Sequence, residues 1–162
     1  AQQKIDIVTS LSKESQLIIS SEEELPEELK SFQQMIAPEK MHRLMAATNL
    51  FFGESSTMAA ESALLGIPSI VINNKYRGYL QDLQQKYGLV KTYKDWQWQE
   101  ALNEALNILK KALNEDLNVN MRQEIRKNAT DVTALLLWMI ENFPENMDQL
   151  KNHPEIIDDF NL

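Results

Sequence analysis

Apolar positions recur along this chain in two rhythms, one helical and one extended. Ile5, Val8 and Leu11, with Ile7, keep helical spacing, so residues 2–13 read as a short amphipathic helix. Residues 16–20, Gln-Leu-Ile-Ile-Ser, form a β-rich run between polar neighbours and read as a buried strand. The acidic stretch 21–30 reads as a loop with one helical turn after Pro26, its carboxylates a solvated face. Met35 and Ile36 suggest a second, very short strand. Pro38 opens a helix, where its missing N–H costs nothing, with Met41, Leu44 and Met45 on one face. Residues 49–52 read as a strand and 57–65 as a helix, with Gly66 in the position that favours a left-handed residue. A strand over 68–72 begins on a proline, as sheets permit. A helix over 79–87 stops at Gly88, and 89–93 reads as the last strand.

Beyond that point the pattern is helical throughout. Trp98, Ala101, Leu102, Ala105, Leu106, Leu109, Ala112 and Leu113 keep one face, with Asp95 as the N-cap. Trp96 and Trp98 read as packing residues at that helix start. Helices over 119–128 and 131–142 follow, and the tail from Pro144 is polar and acidic, broken by Pro154. Strands separated by helices imply a parallel sheet with right-handed crossovers. The expected fold is therefore α/β: a Rossmann-like three-layer sandwich with a short parallel sheet of four or five strands and a helical C-terminal extension. Residues 1–130 would form that domain, and 131–162 a helix and acidic tail packing on it or on another domain.

Composition narrows the function classes. At 162 residues the chain suits one compact domain, and 43% apolar residues exclude intrinsic disorder. Cysteine is absent, which removes disulfides, thiol nucleophiles and thiolate metal sites, and points to a reducing cytoplasm. Two histidines, His42 and His153, are too few for a histidine-rich metal cage. A formal net charge of -8 repels nucleic acid and anionic lipid, and no local basic patch intervenes. The apolar run over 134–140 is far shorter than the roughly 20 residues of a membrane-spanning helix. No signal peptide is visible in the first residues.

One segment suits chemistry. Ligands of parallel α/β sheets sit at the carboxyl ends of strands, where loops meet helix N-termini. Residues 49–72 carry strand, hydroxyl-rich turn, helix, glycine stop, proline and strand in succession. Free N–H groups and the positive helix end there form an anion site, and Ser55, Ser56 and Thr57 add hydroxyl donors. Glu61 shares a helix face with Thr57 and could accept from a sugar diol. The plainer alternative is a helix cap followed by a glutamate that suits the dipole. The segment is neither a Walker loop nor a Gly-x-Gly-x-x-Gly fingerprint.

The run Gly53-Glu54-Ser55-Ser56-Thr57-Met58, with Glu61-Ser62-Ala63-Leu64-Leu65-Gly66-Ile67-Pro68, resembles the nucleotide-sugar motif of GT-B enzymes. More closely, it resembles UDP-N-acetylglucosamine 2-epimerase and an uncharacterised family of its relatives. Leu25-Pro26 with Glu27-Glu28-Leu29, Ile36 with Pro38-Glu39-Lys40-Met41-His42, and Leu83 with Lys86-Tyr87-Gly88-Leu89 extend the likeness over about residues 16–92. The resemblance implies a UDP-type ligand, its diphosphate on Ser55, Ser56 and Thr57 and its ribose on Glu61. Ser56 and Thr57 stand where the epimerase turn has two glycines, which crowds the backbone approach.

It also implies that the chain is the C-terminal half of a two-lobed protein, whose N-terminal domain would carry most acids and bases. No His-Arg pair precedes the first strand, and the chain opens at Ala1 without a methionine, as that reading expects. Catalytic residues are thus expected upstream, and the parent activity, transfer or epimerisation, stays open. No cofactor or metal is expected. His42 reads first as a surface histidine and otherwise as a group near the base or ribose. Lys75 and Arg77, in the loop after the next strand, could neutralise a diphosphate or simply be solvated. The competing readings are a non-catalytic interaction or regulatory domain and, last, a response-regulator-like module, which lacks the aspartates it needs.

Overall fold

The computed structural model describes residues 2–112 and 117–161. The chain divides into two compact units, Ala1–Val119 and Asn120–Leu162, where the sequence places the division at 130/131.

The first unit is mixed α/β. Its elements are α1 (Gln2–Leu11), α2 (Pro38–Ala46), β1 (Phe51–Gly53), α3 (Ser56–Leu64), β2 (Ser69–Ile72), α4 (Gly78–Tyr87), β3 (Val90–Tyr93) and α5 (Trp98–Ala112). The sheet has three parallel strands in the order β1-β2-β3, with Phe51 beside Ser69 and Ser69 beside Val90. That corrects the expected four or five strands. Residues 16–20 contribute only an isolated parallel bridge, Ile19 to Gln33. Ile18 is exposed, so this short run has no apolar partner on that side to hold a ladder. The bridge uses Gln33 rather than Met35 and Ile36, and Met35 is fully exposed.

β2 is buried along its whole length because both of its faces are covered. Ile70 and Ile72 pack with Ile7 and Leu11 of α1 and with Ala101 and Ala105 of α5. Alternation turns Val71 to the opposite face, the side on which α3 and α4 contact the sheet through buried Ala59, Ala63 and Leu80. Ala59 and Ala63 let α3 approach closely. Gly66 ends that helix at φ 79, and its N–H and that of Ile67 close back onto the carbonyls of Ala63 and Ser62. Only glycine takes that left-handed position without cost. Pro68 lies outside the strand, but its carbonyl accepts the Phe51 N–H at 2.9 Å.

Asp95 is not the cap of α5. It lies in a 3-10 turn, Asp95–Gln97, whose cap is Lys94, and α5 follows directly. Trp98 packs against the core as expected, whereas Trp96 is 75% exposed, which corrects its reading as a packing residue. The expected core position Leu113 lies outside the described residues.

The second unit is helical: α6 (Leu117–Lys127, entering from the first unit's end), α7 (Val132–Glu141), α8 (Glu145–Asn152) and a 3-10 turn, Pro154–Phe160. Asp131 caps α7, its carboxylate accepting the Ala134 N–H at 2.9 Å. The polar tail after Pro144, given no element of its own in the sequence reading, holds α8. The side chain of Asn146, fully buried, donates to the carbonyls of Met139 at 2.7 Å and Trp138 at 3.3 Å, which fastens α8 to α7. The rings of Trp138 and Phe160 meet at 5.6 Å between centroids. No helix among the described residues is long and apolar enough to cross a membrane.

Candidate functional site

The carboxyl ends of the three strands release three loops on one edge of the sheet, and side chains of those loops knit them together. Asn73 Nδ2 donates to the Glu54 carbonyl at 3.0 Å, and Asn73 Oδ1 accepts the Lys75 N–H at 2.8 Å. Asn74 Nδ2 donates to Asp95 at 2.5 Å, the Asp95 N–H returns to Asn74 Oδ1 at 3.3 Å, and Lys94 Nζ donates to the Asn74 carbonyl at 3.0 Å. The loops after β1, β2 and β3 are thereby held in fixed relation. Lys4 of α1 reaches the same edge and pairs with Glu54 at 3.1 Å.

The turn between β1 and α3 is capped by Ser55, in an extended conformation, whose Oγ accepts the Met58 N–H at 3.3 Å. A side-chain cap satisfies one of the donors at a helix start and leaves the others free. The N–H groups of Ser56 and Thr57 have no partner among the described residues. The Ser56 hydroxyl is buried and unpartnered, so in this arrangement it does not face outward; Thr57 is exposed. Ser55 opens onto a groove of about 1270 Å³ that also meets Asn73, Asn74 and Lys75. Much of its wall is aliphatic, from Val8 and Leu11 of α1 and Leu44 and Met45 of α2.

Of the six candidate residues, Ser55, Ser56 and Thr57 gather at the start of α3. Glu61 and His42 meet each other, Oε2 to Nε2 at 3.4 Å, where α2 packs beside α3; both stay partly exposed, at 39% and 66%. This pair, with Ser56, Thr57 and Arg77, is not part of the groove lining. Arg77 occupies the cap position of α4, is exposed, and donates to the Tyr76 carbonyl at 3.3 Å. Sequence reasoning missed the tie of Asn73 to Glu54, the Asn74 ties and the Lys4–Glu54 pair, all joining residues far apart in the chain. The Asn-Asn pair directly after a strand was the available signal, since asparagine side chains bond nearby backbone readily.

Beneath the edge, the last residue of β3, Tyr93, gives its carbonyl to the Asn73 N–H at 2.9 Å. Burial pushes its phenol above the ordinary value of 10.0, the Glu104 charge adds to the rise, and Lys91 opposes it. Lys91 and Glu104 themselves pair at 2.5 Å. No cluster of three His, Cys, Asp or Glu able to hold a metal ion occurs among the described residues. No hydroxyl of the 55–57 turn is hydrogen-bonded to a histidine among the described residues. The turn presents two amides without partners among the described residues at the positive end of a helix, and Lys75 of the neighbouring loop lines the same groove as Ser55.

No protein-family model, curated protein or solved structure matches the chain.

Proposed function

We propose that this chain is the nucleotide-sugar-binding half of a GT-B type protein, glycosyltransferase-like or UDP-N-acetylglucosamine 2-epimerase-like, with a Rossmann-like sandwich. Its ligand is a UDP-sugar. The diphosphate lies on the amides of Ser56 and Thr57 behind the Ser55 cap, and Lys75 and Arg77 offset its charge. The ribose hydroxyls bond Glu61, with His42 beside it. The observation that carries this reading is the free N-terminus of α3, placed at the carboxyl edge of a parallel sheet and opening beside the large groove. The motif resemblance over 53–68 supports it independently of the geometry.

Affinity for the nucleotide is modest on this reading. Helix-end and charge-assisted contacts must first offset at least about 4 kcal/mol of association entropy. A dissociation constant in the high micromolar to millimolar range follows, roughly −4 to −6 kcal/mol. Catalytic acids and bases come from a second lobe, so the chain alone binds without turnover. Ligand-observed NMR with UDP, competed by inorganic pyrophosphate, tests the reading. Saturation transfer to UDP that pyrophosphate reverses supports it. No transfer at millimolar UDP leaves the hydroxyl turn a helix cap and favours an interaction or regulatory domain.

A further inference from the structure

The helix α7 of the second unit is apolar on both sides, and only one side is covered. Its residues alternate in pairs: Val132, Thr133, Leu136, Leu137 and Ile140 are exposed, whereas Ala134, Leu135, Trp138 and Met139 are partly buried. That rhythm follows the 3.6-residue period of a helix with two distinct faces. The covered face has its partners within the same unit. The Trp138 ring meets that of Phe160 at 5.6 Å, and the carbonyls of Trp138 and Met139 accept from Asn146 of α8.

On the outer face, Val132, Leu136 and Ile140 stand at i, i+4 and i+8 and form one row, with Leu137 beside it. Phe143 follows just past the helix end. These five side chains are between 51% and 74% exposed. Single exposed apolar residues are ordinary, but a row of them along one helix is not. A helix that is apolar all round belongs in an interior, so the outer row calls for a partner.

The chemistry of the row selects that partner. α7 contains no Lys or Arg, and the charges at its two ends, Asp131 and Glu141, are both acidic. A helix that lies on a membrane surface carries a cationic face, which is missing here, and the formal net charge of -8 repels anionic lipid. Between the two acids the row is free of charge, so it complements another apolar row rather than a charged peptide. A two-fold axis brings the same row from a second copy. The area agrees. Five such side chains, half to three-quarters exposed, leave roughly 250–450 Å² of apolar surface. Two copies together then bury about 500–900 Å² of apolar area. Interfaces are about 57% non-polar, so the whole contact is about 900–1,600 Å². That reaches the lower part of the roughly 1,200–2,000 Å² found in stable pairs.

We infer that the outer face of α7 is the interface of a weak homodimer, with Leu136, midway between Val132 and Ile140, nearest the two-fold axis. The inference stands on the second unit and is independent of the nucleotide-sugar reading.

Sedimentation equilibrium of the full 162-residue chain tests it. The weight-average mass should rise from 18.7 kDa toward twice that value as concentration passes through about 10–100 µM, the range suited to a contact of this size. Leu136→Glu and Ile140→Glu should each weaken association roughly tenfold or more, because each buries an unpaired charge. Leu136→Gln, an uncharged strong helix former, repeats the test where a glutamate variant loses its helical circular dichroism. In the unaltered chain, the amide NMR signals of residues 132–143 should move with concentration while those of 55–57 stay fixed. A mass that remains 18.7 kDa at about 500 µM, or an association that survives these substitutions in folded variants, overturns the interface.

Discussion

The side-chain amide of Asn73 donates to the backbone carbonyl of Glu54 at 3.0 Å, joining the exit of β2 to the exit of β1 across nineteen residues of chain. The same side chain accepts from Lys75 N–H at 2.8 Å, so one residue sets both the loop bearing Lys75 and the approach to the α3 start. Asn73→Ala removes both bonds. Each is worth about 0.5–1.5 kcal/mol, so a loss of about 1–2 kcal/mol is expected in urea unfolding, with an unchanged slope. A loss below about 0.3 kcal/mol would show that the loops hold their relation without it.

Ser55 caps α3 through its Oγ, and its substitution separates stability from binding. Ser55→Ala should destabilise by about 1 kcal/mol, and Ser55→Gly by only a few tenths. If the diphosphate sits on the amides of Ser56 and Thr57, the glycine variant keeps most of the UDP affinity. Thermal melts and UDP titration of the two variants side by side check this.

Glu61 faces His42 at 3.4 Å and is 39% exposed, open enough to exchange that partner for a ribose diol. Glu61→Ala should therefore weaken UDP binding by about 1.5 kcal/mol, the lower end for a charge-assisted bond in a partly solvated place. Pyrophosphate affinity should not change. An equal loss for both ligands would assign Glu61 to the phosphates or to the fold rather than to the ribose.

Tyr93 links stability to alkaline pH. Burial, then the Glu104 charge, raises its phenol above 10.0, so the native state holds the proton more tightly than the unfolded chain. That contribution is fully present below pH 10 and is lost as pH rises through the native value. Unfolding free energy of the unaltered chain should therefore fall relative to Tyr93→Phe on going from about pH 9 to about pH 11. Parallel pH curves for the two proteins would contradict the raised value.

The elements whose signals are local were legible. The Ser-Ile-Val-Ile run between Gly66 and the α4 loop is β2, and Gly88 ends α4 at φ 65. The hydroxyl run at 55–57 lies at a helix start, capped by the first of its three residues. What escaped depends on partners distant in sequence. Residues 16–20 have strand composition, yet only Ile19 finds a bridge, because no neighbouring run offers a ladder. Trp96 and Trp98 look equivalent in sequence, but two residues along a turn separate a solvent face from the core face. α8 was hidden by polar composition, although Glu145 and Asp148 in its first turn and Lys151 in its last match the helix dipole. In the site, the turn could be read from residue types, while the Asn73 and Asn74 ties and the meeting of His42 with Glu61 required the fold.

Backbone amide NMR of the chain titrated with UDP tests the central claim most directly. The Ser56 and Thr57 N–H groups, without partners among the described residues, should show the largest downfield shifts, and inorganic pyrophosphate should move the same two signals. Both curves should fit dissociation constants in the high micromolar to millimolar range. Unmoved Ser56 and Thr57 amides at about 10 mM UDP, the upper end of the millimolar range, or shifts confined to other parts of the first unit, would contradict diphosphate binding at this helix start.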